Sequence, residues 1–180
     1  RVLGMASLVG NRFDFNILAE LEPLAQHQTA AALWIALKEG FIQPLDPSYK
    51  YINDSKVNPV FHFFHDSVQQ AAQLSLTEDE KLELHLRIGR ILREQEKTIG
   101  GESRIFEIVA HLNAARSLLE EESEIRELGA LNYWAAKKAK RSSAFTLALE
   151  YFRKALSCLG KNAWKKNPAL AHELHVQSAA

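Results

Sequence analysis

The sequence contains one cysteine, Cys158, among its 180 residues. A single cysteine excludes an internal disulfide framework and also a zinc site built from several cysteines. No stretch reaches the roughly 18 consecutive apolar residues of a membrane-spanning helix, and the first residues lack the pattern of a secretory signal peptide. We therefore expect a cytoplasmic protein. Because the chain opens with Arg1 instead of methionine, we expect it to be a piece of a longer protein.

Glycine and proline are also scarce, at 8 and 5 residues. Together they fall below the roughly 12% that these two residues make up in average proteins, which favours long regular elements over disordered sequence. Charges of one sign do not dominate either, because 22 lysines and arginines balance 22 aspartates and glutamates. This balance argues against a protein whose main function is to bind nucleic acid through a strongly basic surface.

Apolar residues recur at helical spacing in five stretches of the chain. Thr77 precedes the second stretch and has Glu80 three residues later, which predicts a capping box at the start of that helix. Pro168 predicts the first turn of a further helix, where proline is tolerated. The five apolar faces are Ala30, Leu33, Trp34 and Leu37; Leu84, Ile88, Ile91 and Leu92; Ile105, Ile108, Val109 and Leu112; Leu128, Leu131 and Ala135; and Phe145, Leu149, Phe152, Leu156 and Leu159. These faces predict a mainly α-helical chain.

The helical spacing is interrupted between residues 41 and 64. Gly40 is expected to end the preceding helix. Short extended segments are predicted at residues 41–42, 49–51 and 60–64, with turns at residues 46–48 and 53–55. Three short helices followed by a small hairpin are typical of a winged helix. We therefore predict a winged-helix-like domain with a small β wing over residues 1–75.

The last third of the chain has small residues at the spacing of a tetratricopeptide repeat. Ala148 and Ala155 flank Phe152 on one predicted helix, and Ala136 lies on the helix before it. Alanines let two helices approach closely, and the aromatic ring fills the groove between them. A plain antiparallel helix pair would show the same alternation and stays an alternative. We predict antiparallel helical hairpins of tetratricopeptide-like type over residues 76–180, with the last repeat truncated at the C-terminus.

A search for chemistry finds no catalytic or nucleotide-binding motif. The sequence has no G-x-x-x-x-G-K-[ST] phosphate loop, no G-x-G-x-x-G and no G-x-S-x-G. Two histidine pairs, His62 with His65 and His172 with His175, have three-residue spacing but lack further ligands at the spacing of a metal site. We expect no catalysis, no cofactor and no metal in these residues alone.

Two charged runs lie where the ends of one helix are predicted. Glutamates at positions 120–122 and 124 precede the helix, and lysines and arginine at positions 137, 138, 140 and 141 end it. The helix dipole stabilises both arrangements, which is the favoured interpretation. A nucleic-acid patch at the basic run is the alternative, and it would need aromatic or basic neighbours on the same face.

A winged helix raises the question of DNA binding. The predicted recognition helix, residues 24–39, carries Lys38 as its one lysine or arginine, and residues 1–63 hold five basic groups against six acidic ones. A surface with this charge balance does not attract a phosphate backbone. We therefore expect this winged helix to contact protein and not DNA.

Four segments together resemble the region that follows the ATPase module in large bacterial multidomain signalling kinases. Those proteins combine a serine/threonine-kinase-like domain, an AAA-type ATPase of the STAND class, helical repeats, a GAF domain and often a sensor histidine kinase. The resemblance covers nearly the whole chain. It is specific because the four segments occur together, whereas no single segment identifies the family. The segments are residues 10–14 (GNRFD), 64–72 (FHDSVQQAA), 85–90 (HLRIGR) and 105–113 (IFEIVAHLN).

The resemblance implies a role for His65 and Asp66. In related regulators a histidine–aspartate pair of the winged helix reaches the ADP phosphates and holds a closed resting state. A helix N-terminus together with an imidazole N–H suits a phosphate. Family members commonly carry arginine where this chain has Ser67, so no cationic role is carried over to that position. The alternative role for His65 is a helix cap or a packing residue.

The same resemblance implies a non-catalytic regulatory fragment that couples an upstream nucleotide-switch ATPase to downstream helical repeats. ATP or ADP would be bound by the parent protein, a serine/threonine or histidine kinase of a two-component system. The expected partners are the neighbouring domains of the same chain and a protein ligand on the repeats, with no membrane and no nucleic acid. The alternatives are a winged-helix DNA-binding regulator and a plain protein-interaction scaffold without nucleotide coupling.

Overall fold

The computed structural model describes residues 1–21, 26–54, 56–99, 103–159 and 176. The α-helices in these residues are α1 (Val2–Val9), α2 (Phe15–Leu21), α3 (Gln26–Lys38), α4 (Asp66–Leu74), α5 (Glu78–Ile99), α6 (Ile105–Ala114), α7 (Glu122–Arg141) and α8 (Phe145–Cys158). The strands are β1 (Arg12–Asp14), β2 (Ile42–Pro44) and β3 (Val60–Phe63), and short 3-10 helices cover Pro47–Tyr51 and Arg116–Leu118. The prediction of a mainly helical chain with a small β element is confirmed.

The chain divides into two compact units, Arg1–Ile91 and Leu92–Ala180, and the division falls within α5. The boundary predicted from the sequence, between residues 75 and 76, lies just before α5 and stays a prediction. None of the helices in the described ranges is long and apolar enough to cross a membrane. The helix predicted to begin at Pro168 lies outside the described residues.

β3 is the central strand of the sheet in the first unit and pairs antiparallel with both β1 and β2. Phe13 of β1 lies opposite Phe61 of β3, and Ile42 of β2 lies opposite Phe63. The Phe13 ring centroid is 5.8 Å from that of Phe61 and 5.4 Å from that of Phe63, and all three rings are buried. Burying one phenylalanine side chain contributes about 1.5–3 kcal/mol, so these rings hold the sheet on the helices of the first unit.

Helix α5 begins with the capping box that the sequence predicts. A Glu80 carboxylate oxygen accepts a hydrogen bond from the Thr77 backbone N–H at 2.8 Å, and the Glu80 N–H donates to the Thr77 hydroxyl at 3.3 Å. These bonds give partners to two backbone N–H groups that a helix start leaves unpaired. The predicted start of this helix is confirmed.

The segment between β2 and β3 contains one wrong prediction. Residues 49–51 are not extended but belong to the 3-10 helix Pro47–Tyr51. The Asp46 carboxylate accepts a hydrogen bond from the Ser48 N–H at 2.7 Å, and proline at the first helical position restricts φ to a helical value. This local capping outweighs the β propensity of the two tyrosines.

The other predictions for this region agree more closely with the structure. Gly40 follows α3 with a φ of 72°, a left-handed conformation that glycine adopts without strain. The strands predicted at residues 41–42 and 60–64 correspond to β2, which begins one residue later, and to β3. The sequence does not predict β1.

In the second unit, α7 and α8 pack along each other and are joined by a three-residue turn in which Ser143 has a positive φ of 58°. Gly129 near the start of α7 lies close to Cys158 at the end of α8, so the two helices run antiparallel. Helix α6 contributes apolar side chains to the same core. The buried cluster consists of Ile105, Val109, Ala135, Ala136, Ala139, Ala148, Tyr151, Phe152 and Ala155.

Candidate functional site: the start of helix α4

The segment that joins β3 to α4 positions His65. Phe64 follows the strand and donates its N–H to the Phe41 carbonyl at 3.0 Å. His65 then has extended backbone, with φ −138° and ψ 144°, and is the N-cap residue of α4. Its carbonyl accepts hydrogen bonds from the Val68 and Gln69 N–H groups, at 3.0 and 3.3 Å. The backbone of His65 is thereby fixed at the first turn of the helix.

The His65 side chain does not cap the helix. The imidazole is exposed and lies edge-on against the exposed Phe64 ring, with the two centroids 4.3 Å apart. The alternative role as a helix cap therefore does not agree with the geometry. An imidazole N–H beside the first turn of a helix can donate a hydrogen bond to an anion there.

Asp66 is exposed in the first turn of α4, where the helix dipole favours its negative charge. Its carboxylate accepts a hydrogen bond from the Asn11 amide at 3.3 Å. The same amide is 3.5 Å from the Gln69 side-chain oxygen, and Gln69 donates to the Ser7 carbonyl at 3.0 Å. The carboxylate is thus held against the turn between α1 and β1.

Sequence reasoning missed the contributions of Asn11 and Gln69. Both lie in segments that carry the family resemblance, residues 10–14 and 64–72, and these segments are brought together in the first unit. Besides the side-chain contacts, the Phe63 N–H donates to the Asn11 carbonyl at 3.0 Å. The fact that both segments belong to the same resemblance is the one sequence signal for a contact between them. Their spacing along the chain does not predict that contact.

No metal site is found in the described residues, which contain no group of three or more histidine, cysteine, aspartate and glutamate side chains able to hold a metal ion. His62 is half-buried, with its Nδ1 atom 3.0 Å from the Phe63 carbonyl oxygen. The pair His172 and His175 lies outside the described residues.

A small pocket in the first unit lies between α1 and the start of α5. Its volume of about 70 Å³ is well below the roughly 300–1,000 Å³ of typical small-molecule sites. The lining residues are Arg1, Met5, Leu76, Glu80, Glu83, Leu84 and Arg87. A whole nucleotide therefore does not fit in this pocket.

Comparison with known proteins gives one similarity. No protein-family model matches the chain, and no solved structure matches it. The chain is 29% identical to the hybrid signal transduction histidine kinase G of Dictyostelium discoideum, over 219 aligned positions that cover 98% of the chain. It spans 6% of the length of that protein. The chain is therefore similar to a short segment of a signal-transduction kinase, which supports the predicted signalling-kinase context but not a bacterial origin.

Proposed function

We propose that the chain is a non-catalytic arm of a signal-transduction kinase. It couples an upstream nucleotide-switch ATPase of the STAND class to downstream helical repeats. The observation that supports this proposal best is the exposed His65 imidazole, which lies at the first turn of α4 and does not cap the helix. The parent is proposed to be a cytoplasmic histidine or serine/threonine kinase of a two-component system. Its bacterial origin stays a prediction from the resemblance.

The order of elements in the first unit supports a winged helix. Helix α1 is followed by β1, α2, α3, β2 and β3, and the sheet has the order β1-β3-β2. The segment between β2 and β3 is then the wing, and α3 occupies the place of the recognition helix. All three helices precede the wing in the chain, and β3 lies between the two earlier strands in the sheet.

Exposed apolar side chains favour a protein partner for this winged helix over DNA. Ile35 on α3 is 64% exposed, and Tyr51 in the wing is 65% exposed. Lys38, in the last turn of α3, is the one lysine or arginine of that helix. A helix that enters the major groove needs donors and cations at its exposed positions. We therefore propose that the nucleotide-switch domain, and not DNA, contacts this surface.

The roles of the two sensor residues differ. The proposed phosphate donors are the His65 imidazole and the first N–H groups of α4, because both can donate to phosphate oxygens. The Asp66 carboxylate is an acceptor when it is ionised, so it positions the site through Asn11 and does not itself bind phosphate. With Ser67 at the position where arginine is common, the phosphate would receive no cation from that side chain.

The packing of α7 against α8 supports a tetratricopeptide-like hairpin. Ala148, Phe152 and Ala155 are buried together on α8, at the predicted spacing, against Ala136 of α7. A repeat of this kind buries its faces by stacking on neighbouring repeats. We propose that such repeats follow in the parent protein and that nucleotide exchange changes their accessibility to a protein ligand.

The proposal is tested in a longer protein that includes the predicted ATPase domain. ADP released by denaturation is quantified for the wild type and for His65→Ala. Gln70→Ala is the matched control, because Gln70 is also exposed on α4 but lies past its first turn. We expect bound ADP to fall in His65→Ala and to be unchanged in Gln70→Ala, with both folds intact by circular dichroism.

The same experiment separates the rival functions. Equal ADP in all three proteins would contradict the sensor role and make His65 structural. A longer protein that neither retains nor rebinds ADP would favour the interaction scaffold. Salt-sensitive binding to duplex DNA that is lost with Lys38→Glu would instead favour the DNA-binding regulator.

A further inference from the structure

One face of α7 is exposed at Arg126, Ala130, Trp134 and Arg141, with Lys137 half-buried on the same face. The residues of this outward stripe are spaced by four, four, three and four positions, which places them on one side of a helix. They are Arg126, Ala130, Trp134, Lys137 and Arg141. The opposite face is buried at Leu128, Asn132, Ala135, Ala136 and Ala139. Trp134 is 46% exposed at the middle of the stripe, one turn after the small and exposed Ala130.

The two ends of α7 carry opposite charges. Exposed glutamates stand before and at its first residue, at positions 120–122, whereas exposed Lys140 and Arg141 end it. A surface with this polarity is complementary to itself when two copies are placed antiparallel, because each acidic end then meets a basic end. Such an isologous pairing is the usual geometry of a two-fold dimer.

We propose that the outward stripe of α7 is a docking surface for a second copy of this chain. The two α7 helices would run antiparallel around a two-fold axis at the level of residue 132. In that register Trp134 of each copy packs on Ala130 of the other, since a large side chain fits over a small one. This proposal does not depend on the nucleotide-switch role.

The same register also aligns the charges. A two-fold axis at residue 132 places Lys140 of one copy near residue 124 of the other, so that it reaches Glu122 on the same side of the helix. Arg141 faces Ser123, beside the acidic end. Arg126 approaches Lys137 of the other copy, a like-charge contact that weakens the pairing, and its own guanidinium is 3.4 Å from a Glu122 carboxylate oxygen of the same copy. The Trp134–Ala130 pair and the Lys140–Glu122 pair are compatible with the same alignment.

The size of the proposed α7–α7 interface determines the affinity that we expect for the dimer. A 20-residue helix is about 30 Å long, so one helix pair gives an interface at the small end of specific ones. We expect a reversible dimer with an affinity near micromolar. Tryptophan is enriched among the residues that dominate such interfaces, and its truncation commonly weakens binding by about 30-fold or more.

Sedimentation equilibrium of the 180-residue chain tests the docking surface. Trp134→Ser is expected to weaken the dimer by about 30-fold or more. Phe145→Ser is the matched control, because Phe145 is an exposed aromatic residue of α8 that lies outside the stripe, with 64% of its surface exposed. A wild-type chain that stays monomeric to millimolar concentration would overturn the proposal. A dimer that weakens with Phe145→Ser and not with Trp134→Ser would do so as well.

A charge exchange tests the antiparallel register. One variant carries Glu121→Lys and Glu122→Lys, and the other carries Lys140→Glu and Arg141→Glu. Each alone should be monomeric where the wild type dimerises, because like charges then meet at both ends. An equimolar mixture should restore the dimer as a heterodimer. Dimers of either variant alone, or a mixture of two monomers that are both folded by circular dichroism, would contradict the register.

Discussion

Asn113 of α6 and Asn132 of α7 exchange two hydrogen bonds. Each side-chain amide nitrogen donates to the amide oxygen of the other residue, at 2.8 and 2.9 Å. Asn132 is fully buried and also donates to the Leu128 carbonyl at 2.9 Å. Because a buried amide costs free energy unless its polar atoms are paired, this reciprocal contact fixes the register of α6 against α7.

Breaking one side of this pair should destabilise the protein. Asn132→Ala leaves the Asn113 amide without its partner, and Asn113→Ala leaves Asn132 with its bond to the Leu128 carbonyl alone. Each loss costs about 1–3 kcal/mol in the free energy of unfolding. The double variant Asn113→Ala/Asn132→Ala should lose less than the sum of the single losses, because no orphaned amide remains. Urea unfolding of the four proteins provides the measurement. Strictly additive losses would show that the two amides are not coupled.

Gly129 permits the close approach of α7 and α8. A Cβ atom at this position would lie 3.0 Å from the Cβ atom of Cys158, closer than two carbon atoms pack. Gly129→Ala should therefore lower the free energy of unfolding by about 1–3 kcal/mol, despite the gain in helix propensity of about 1 kcal/mol. The loss should grow from alanine to valine. A Gly129→Ala variant more stable than the wild type in thermal unfolding would contradict the packing argument.

Glu96 links the end of α5 to the start of α6. Its carboxylate is buried and accepts hydrogen bonds from the Ser103 hydroxyl at 3.1 Å and from the Arg104 N–H at 3.2 Å. Glu96→Ala removes both acceptors and should cost about 1–3 kcal/mol in stability. Glu96→Gln keeps one oxygen acceptor and should cost less, as chemical denaturation would measure. Equal losses in the two variants would show that the carboxylate does not act as a cap.

His85 should make stability depend on pH. Partial burial lowers its pKa in the folded chain below the ordinary value of 6.5, so the unfolded chain binds the proton more readily. The stability that neutral His85 contributes is present above pH 6.5 and is lost as the pH falls through the folded-state pKa. We expect the wild-type free energy of unfolding to fall from pH 7 toward pH 5 more than that of His85→Gln. Parallel pH profiles of the two proteins would exclude this role.

Local chemistry explains which elements the sequence predicts. The start of α5 is predictable because Thr77 and Glu80 are three residues apart and bond to each other. The same reasoning fails at residues 49–51, because the turn residues 46–48 predict a turn followed by an extended segment, whereas Asp46 caps a 3-10 helix that continues to Tyr51. Strand β1 has only three residues, which is too short to show a periodic pattern in the sequence. It forms because β3 pairs with it, and that pairing is not visible in the sequence.

Contacts between distant residues account for what the sequence does not predict at the candidate site. His65 and Asp66 are adjacent, and their place at a helix start follows from the resemblance. Asn11, which holds Asp66, is 55 residues away along the chain. The contact forms because β1 and β3 are neighbours in the sheet, and only the folded topology contains that information.

Hydrogen exchange in a longer protein that includes the proposed ATPase domain tests the nucleotide-switch account most directly. The amides of Asp66 and Ser67 in the first turn of α4 are followed with ADP bound and without nucleotide, in the wild type and in His65→Ala. The account predicts slower exchange of these amides with ADP bound, a smaller change in His65→Ala, and no direct change in the first turn of α8. Equal exchange of the α4 amides in the two nucleotide states of the wild type would contradict it.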